Sequence, residues 1–201
     1  VTVSATLSDG RVHTATFQVM PDYLAIGSDD DQVRIPMNPL TAQRIADAFG
    51  MSLPTRLVVD AVYANAEVKL PPRPMTPGAQ MMSNAYFAQH DATIDGQLAG
   101  RTPGALVAGH KKDVVLTNLL AQRPDRVAIY GWHQPNGKAI QPLSTIHENT
   151  YADYSHGVRL VGGTVRVDGV ERPIAEVLRD PVLSKLLSDE GPLRLTRQPR
   201  S

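Results

Sequence analysis

Four of the six histidines in this 201-residue chain lie between positions 110 and 156. They are His110, His133, His147 and His156, and they occur in the strings AGHKKD, YGWH, STIHE and YADYSHG. Imidazole beside carboxylate, phenol and hydroxyl groups is the combination that acid–base, nucleophilic and metal-assisted hydrolysis use. We therefore expect any chemistry to reside in the second half of the chain.

A zinc-dependent site is one interpretation of this cluster. The ligands would be His133, His147 and either Asp153 or Asp113, leaving an open position for a water molecule whose pKa the metal lowers. His156 or Tyr154 would then assist proton transfer or stabilise an oxyanion. The His-x5-Asp-x2-His spacing from His147 to His156 permits a zinc triad but matches no standard local motif.

A metal-free site is the other interpretation. In it, Ser155 or water is the nucleophile, His133 or His147 is the base, and Asp113 or Asp153 orients the imidazole. Asp153-Tyr-Ser-His-Gly157 differs from a G-x-S-x-G nucleophile elbow at its first position, and the following Val-Arg-Leu-Val predicts a strand where the elbow requires a helix. This context disfavours an α/β-hydrolase nucleophile.

The position of each histidine depends on the element that carries it. A strand over 127–133 would place His133 at the rim of a sheet, beside Trp132. A strand through 151–161 would place His156 on an apolar face, whereas a loop before Gly157 would let His147, Asp153 and His156 converge. His110 and Asp113 would face the same cleft only in a turn after Gly109. Histidines that merely satisfy a polar core are the alternative to all of these sites.

The composition excludes several classes of protein. Twenty basic and twenty acidic residues balance, and aromatic residues make up 5%, so we expect no nucleic-acid partner. The chain has no cysteine, which excludes thiol catalysis, thiolate zinc sites and disulfides. No apolar run approaches about 18 residues, so we expect no membrane span.

The elements follow the order strands, helices, strands, helices. Asp9-Gly10, Asn136-Gly137 and Asp168-Gly169 lie between alternating runs and predict β-hairpins. Helices are predicted from Pro39, from near Pro54, over 79–94, over 174–178 and over 182–187. The acidic turn 28–31 lacks the pattern of an EF-hand loop and is interpreted as a solvated turn. The pattern predicts an α+β fold with a mainly antiparallel sheet and four to five flanking helices.

The chain is long enough for one domain with its own core. Leu70–Pro77 contains four prolines and predicts an extended strap. We expect a single domain over 1–201, in which the strap at 70–77 separates an N-terminal subdomain, 1–70, from a histidine-rich main part, 78–201.

The segment from Lys111 to Val161 resembles a family of uncharacterised bacterial proteins, some of them exported and some associated with phage or the cell wall. The resemblance carries no catalytic motif, and it implies an extracytoplasmic or secreted setting. Together with the histidines it predicts a hydrolase, metal-dependent or not, acting on an envelope or extracellular polymer or on a small molecule. The alternative is a non-catalytic module that binds carbohydrate or peptide through Trp132, Tyr130, Tyr151 and Tyr154.

Overall fold

The structure is a computed structural model that describes residues 1–28, 31–101 and 104–199. Its strands are β1 (Thr2–Thr6), β2 (Val12–Val19), β3 (Ala25–Gly27), β4 (Gln32–Arg34), β5 (Val68–Lys69), β6 (Val107–Ala108), β7 (Lys112–Val114), β8 (Ile129–His133), β9 (Ala139–Ser144), β10 (His156–Gly157), β11 (Val161–Val167) and β12 (Val170–Pro173). Its α-helices are α1 (Pro39–Ala48), α2 (Arg56–Asn65), α3 (Asn84–Leu98) and α4 (Ile174–Arg179). Short 3-10 helices occupy Ala79–Met82, Asn118–Ala121 and Leu183–Leu186.

The first sheet has the strand order β1-β2-β11-β12, and all its neighbours are antiparallel. The predicted hairpin at Asp168-Gly169 is present, and both residues have positive φ, 50° and 84°. Two positive φ values are what a tight type I′ turn requires, and Asp-Gly adopts them readily. The hairpin predicted at Asp9-Gly10 joins β1 to β2.

The second sheet has the order β10-β7-β8-β9 and carries Asp113, Tyr130, Trp132, His133 and His156. Strand β8 pairs antiparallel with β7 and with β9, and Asn136-Gly137 forms the predicted turn between β8 and β9. The pair β10 and β7 is parallel, as is the separate pair β5 and β6. The fold is therefore α+β with mainly antiparallel sheets, as the sequence predicts.

The first two helices begin where the sequence places them. Asn38 accepts from the backbone N–H of Thr41 at the start of α1, and Thr55 accepts from that of Val58 at the start of α2. A side-chain oxygen at this position satisfies a backbone donor that the first turn leaves free. Helix α2 packs against β8, which brings its side chains to the second sheet.

Two helices differ from the sequence predictions. The helix predicted over 79–94 is a 3-10 turn followed by α3, and the last predicted helix is the 3-10 turn Leu183–Leu186. Strand β9 is the second strand of the predicted Asn136-Gly137 hairpin, and it contains Pro142, which an edge strand tolerates. Asp29 and Asp30 of the acidic turn lie outside the described residues.

The main hydrophobic cluster includes buried side chains from Leu7 through Leu193, so both ends of the chain contribute to one core. The segment 70–77 is neither helix nor strand, and it lies before the 3-10 turn Ala79–Met82. Among the helices in the described residues, none has the length and apolar character needed to cross a bilayer.

Candidate functional site

His133 lies at the end of β8 and shares a hydrogen bond with a carboxylate from α2. Its Nε2 is 2.8 Å from Asp60 Oδ1, and the phenol of Tyr130 donates to the same oxygen over 2.9 Å. Because an ionised carboxylate only accepts, Nε2 carries the proton and Nδ1 is the basic nitrogen. No described residue hydrogen-bonds Nδ1 through its side chain or backbone. A neutral His133 can therefore act as a base through Nδ1.

A second residue of α2 fixes the plane of the imidazole. The ring of Tyr63 is stacked on that of His133, with centroids 4.5 Å apart and an interplanar angle of 17°. The Tyr63 hydroxyl donates to the backbone oxygen of Gln134 over 2.7 Å, which ties the helix to the residue after the strand. Asp60 and Tyr63 are three residues apart, so they lie on one face of the helix. Both contacts hold His133 in one orientation.

The backbone of β8 is irregular at this point. Tyr130 and His133 are three residues apart and would face opposite sides of a regular strand, yet both reach Asp60. Between them, Gly131 and Trp132 have φ values of 110° and 58°. A bulky residue at positive φ is a conformational outlier, and such strain concentrates at functional sites. The left-handed pair turns both polar side chains toward one carboxylate.

His133 and Asp60 line an open cleft of about 780 Å³. The other lining residues are Tyr63, Ala64, Lys69, Tyr130, Pro135, Asn136, Gly137, Lys138, Ala139 and Pro142. Asp60 is the only acidic residue among them, and its side chain is 44% exposed. The cleft therefore joins an imidazole, one carboxylate and two lysines, and the His133 side chain itself is 3% exposed.

Asp113 lies close to this site but inside the protein. It accepts a hydrogen bond from the Tyr23 hydroxyl over 2.9 Å. Burial raises the pKa of Asp113 to about 6, although attraction to Arg159 opposes the rise. A methyl group added at Gly131 would be 3.5 Å from Asp113 Oδ2 and 3.6 Å from His133 Cε1, so both side chains lie beside this glycine.

His110 belongs to a different group of side chains. Its Nε2 is 2.9 Å from Asp22 Oδ1, and the other Asp22 oxygen pairs with Arg34. Burial alone would raise the pKa of Asp22, but attraction to His110 and Arg34 outweighs it and lowers the pKa well below its usual range. Arg34 also pairs with Asp91 and Asp95 on α3. This network joins the N-terminal segment to α3 and leaves His110 buried.

The remaining sequence-selected residues lie in the loop that precedes β10, from Tyr151 to Ser155. Asp153 Oδ1 accepts from the Ser155 backbone N–H over 2.8 Å and from the Ser155 hydroxyl over 2.5 Å. Asp153 Oδ2 accepts from the Tyr151 hydroxyl over 2.9 Å and lies 3.9 Å from His156 Nε2. Ser155 and His156 are fully buried. The loop alternative is thus the observed one, and it brings Asp153 and His156 together.

His147 is exposed and packs on the outer side of this loop cluster. Its ring is stacked on that of Tyr151 with centroids 4.1 Å apart, and Tyr151 contacts His156 edge-on at 5.6 Å. Burial lowers the pKa of His156 to about 4, although attraction to Asp153 opposes the change. Ser155 is sealed from solvent and its hydroxyl is committed to Asp153, so this arrangement stabilises a turn rather than presenting a nucleophile.

The four histidines therefore fall into three clusters, and His147 and His156 share one of them. Across residues 1–28, 31–101 and 104–199, no three His, Asp or Glu side chains are grouped so that they could hold a metal ion. The zinc ligand set His133, His147 and Asp153 stays a prediction for elemental analysis, and the function proposed below depends on the side chains themselves.

The expected aromatic platform around Trp132 is corrected by the structure. Trp132 is 5% exposed and Tyr154 is 3% exposed, so neither ring presents a face to a ligand on the surface. Tyr154 instead packs beneath the strap, where its hydroxyl accepts from the Met75 N–H over 2.8 Å. Only Tyr130 of the proposed platform lines the cleft.

Asp60 and Tyr63 are the two site residues that the sequence reasoning missed. Helix α2 reads RLVVDAVYAN, and Asp60 is its only charged residue after the first position. A lone carboxylate in an apolar helix is a signal for a polar partner inside the fold. The partner itself is 73 positions away, in β8.

Comparison with known proteins gives no match: no family model, no curated protein and no solved structure is significantly similar to this chain.

Proposed function

We propose that this protein is a hydrolase that uses His133 as a general base in the cleft between α2 and β8. The observation that carries the proposal is the hydrogen bond between His133 Nε2 and Asp60 Oδ1 at 2.8 Å, in a cleft of about 780 Å³. A carboxylate that holds one imidazole nitrogen fixes the tautomer and stabilises the imidazolium that forms during catalysis. The strained backbone at Gly131 and Trp132 serves to build this arrangement.

The proton transfers follow from the tautomer. His133 Nδ1 removes a proton from a water molecule as the water oxygen bonds to the acyl carbon of the substrate. The resulting tetrahedral intermediate expels the amine, which receives the proton from Nδ1, and the acid product leaves with the oxygen of water. Asp60 remains ionised throughout and offsets the positive charge of the imidazolium. Tyr130 supports Asp60, because its phenol donates to the carboxylate and remains protonated.

The lining of the cleft favours an acyl bond over a glycosidic bond. Glycoside hydrolysis commonly uses two carboxyl groups on either side of the scissile bond, whereas Asp60 is the single acidic residue of this cleft. Lys69 and Lys138 lie at its edge and favour a substrate that carries negative charge. We therefore propose the amide bonds of an acidic peptide, such as the peptide part of peptidoglycan or of another envelope polymer.

An extracytoplasmic location is part of this proposal. It follows from the proposed substrate, because an envelope polymer lies outside the cytoplasm. Fractionation of cells that express the full-length protein tests it directly: recovery in the envelope or medium is expected, and recovery in the cytoplasm alone contradicts it.

The test of the proposed activity is release of amino groups from defined polymers. Purified protein is incubated with peptidoglycan, with an acidic polypeptide and with a neutral polypeptide, and new amines are quantified by a fluorogenic reagent. We expect the acidic substrates to be hydrolysed, and His133→Asn to lower the rate about 100-fold or more.

His13→Asn is the matched control for this test. His13 also lies between aspartates, Asp9 and Asp168, but at the turns of the first sheet, away from the cleft. We expect its rate to equal that of the wild type. A folded His133→Asn protein with full activity contradicts the proposal, and elemental analysis of the same samples tests the zinc prediction.

A further inference from the structure

The first sheet has an open edge at β1, which is last in the strand order and pairs only with β2. Val1 exchanges two backbone hydrogen bonds with Phe17, over 2.9 and 3.0 Å, and the Leu7 N–H donates to the Arg11 oxygen over 2.9 Å. Hydrogen-bonded pairs alternate along an antiparallel ladder, so the odd-numbered residues of β1 direct their backbone groups toward β2. The even-numbered residues direct theirs away from the sheet: Thr2, Ser4 and Thr6. Nothing in residues 1–28, 31–101 and 104–199 pairs with this outer edge.

The other long edges of the two four-stranded sheets are protected. Strand β12, at the opposite edge of the first sheet, contains Glu171, Arg172 and Pro173, and β9, at an edge of the second sheet, contains Pro142. Charged side chains and proline on an edge strand oppose its pairing with another chain. Strand β1 reads TVSAT and has neither, since the first charged side chain of the sequence is Asp9. Because sheets protect an edge that has to stay free, the unprotected edge at β1 indicates a partner strand.

The side chains on both faces of β1 suit a further strand. On the outer face, the Ser4 hydroxyl bonds that of Thr14 over 2.8 Å, and the Thr2 hydroxyl bonds that of Thr16 over 3.0 Å. A hydroxyl donates once and accepts twice, so each keeps the capacity to bond a neighbour on its other side. On the inner face, half-buried apolar side chains lie at the margin of the core: Val3, Ala5 and Leu183. A second strand would cover this margin.

We propose that β1 pairs antiparallel with β1 of a second copy of this chain, which forms a dimer with one sheet continuous across both copies. A two-fold axis at Ser4 sets Thr2 opposite Thr6 of the partner subunit. These are the residues whose backbone groups point outward, so this register pairs them all. Val3 then lies opposite Ala5 of the partner subunit on the inner face. The assembly closes at two chains, because the pairing uses β1 of both copies and β12 is protected. It is independent of the hydrolase proposed above, whose cleft lies at the second sheet.

Sedimentation equilibrium of the full-length protein tests the dimer directly. Across protein concentrations of about 1 to 500 µM, we expect the mass to rise from one chain to two. The dissociation constant should be on the order of 10 µM, because a five-residue edge buries less surface than a standard interface. A protein that stays monomeric over this range overturns the proposal.

Two lysine variants separate the edge from the rest of the sheet face. Ser4→Lys places two ammonium groups beside the two-fold axis and should weaken the dimer about tenfold or more, since like charges on facing strands repel. Thr16→Lys is the matched control, because it also removes one of the hydroxyl pairs but lies on β2, away from the edge. Its dissociation constant should stay within about twofold of the wild type. Thermal unfolding shows that both variants are folded. Equal affinity in the two variants overturns the proposal.

A cross-link tests the register, since the chain has no cysteine of its own. In the proposed dimer the two Ser4 Cα atoms lie about 5.5 Å apart, as in any hydrogen-bonded antiparallel pair. Ser4→Cys should therefore be joined into covalent dimers by dibromobimane, a short reagent that links two thiols. Thr16→Cys places its two thiols three strand spacings apart, about 14 Å, and should stay monomeric under the same treatment. Absence of the Ser4→Cys cross-link, or an equal yield from Thr16→Cys, overturns the proposed pairing.

Discussion

The cleft at His133 and the loop cluster at Asp153 contain the same side-chain types, yet they differ in what their carboxylates do. Asp60 is partly exposed and holds one nitrogen of an imidazole that lines an open cleft. Asp153 is buried, and three donors from its own loop occupy its oxygens. In the proposed mechanism the first carboxylate fixes the tautomer of His133, which is itself 3% exposed, whereas the second is used to fold a turn. Residue type alone therefore does not distinguish the two arrangements; the exposure of the carboxylate and the cleft beside it do.

Exchanging the two aspartates for asparagine should separate catalysis from stability. Asp60→Asn is expected to lower the hydrolysis rate about 100-fold, because the amide no longer stabilises the imidazolium and can reverse the tautomer. Its free energy of unfolding should change little, since the side chain is partly exposed. Steady-state kinetics and urea denaturation of the same protein provide the two measurements. Unchanged kinetics in Asp60→Asn would show that the cleft is not the catalytic site.

For Asp153, in the loop before β10, we expect the opposite result, a loss of stability without a loss of activity. Asp153→Ala leaves the Ser155 N–H, the Ser155 hydroxyl and the Tyr151 hydroxyl without their acceptor, which should lower the free energy of unfolding by about 3 kcal/mol. The rate per folded molecule should equal that of the wild type. Ser155→Ala removes only one of these donors, and about 1 kcal/mol is expected for it. Activity lost from a fully folded Ser155→Ala protein would return the loop to the catalytic site.

Much of this fold follows from local signals in the sequence. The Asp-Gly and Asn-Gly turns and the helix starts near Pro39 and Pro54 depend on residues within a few positions of one another, and these were predicted. Strand β10 was missed because it is two residues long and exists only through its pairing with β7. Such a strand depends on tertiary contacts that no local pattern records.

The site was predictable only in part. The alternation over 127–133 placed His133 at the end of a strand, where it is found. Asp60 and Tyr63 were missed because they reach His133 through the packing of α2 on β8. His156 has sequence neighbours of the same types as His133. Its complete burial could not be predicted from them, because burial depends on tertiary packing.

The pH dependence of stability should reveal the buried loop histidine. The pKa of His156 is about 4 in the folded protein and close to 6.5 when unfolded. Protonation of His156 is therefore less favourable in the folded state. Its contribution to the free energy of unfolding is fully present above pH 6.5 and is lost as the pH falls toward 4. The slope should reach about 1.4 kcal/mol per pH unit for this residue.

His156→Gln should flatten that slope, and His147→Gln, in the exposed partner of the same cluster, should leave it unchanged.

The effect of Asp113 on the pH dependence of stability has the opposite sign. Its folded pKa of about 6 exceeds the unfolded value of 3.8, so its contribution to stability is lost as the pH rises between them. Asp113→Asn should therefore steepen the rise of stability with pH. Identical slopes in the wild type and His156→Gln would contradict the assignment of a buried neutral histidine.

The smallest expected difference concerns two glycines with positive φ. Gly131 has φ 110°, and a methyl group there would lie 3.3 Å from Val59 Cγ1, whereas Gly169 has φ 84° and open space around it. Gly169→Ala should cost about 1 kcal/mol of stability through backbone strain alone, and activity should be unchanged. Gly131→Ala should cost about 2 kcal/mol and lower activity about tenfold, because relaxing the strained backbone moves Tyr130 and His133 relative to Asp60. Thermal unfolding and the amine-release assay measure the two effects. Equal losses of activity in both variants would mean that the irregular backbone of β8 does not position the site, since the two substitutions share strain and differ only in what lies beside them.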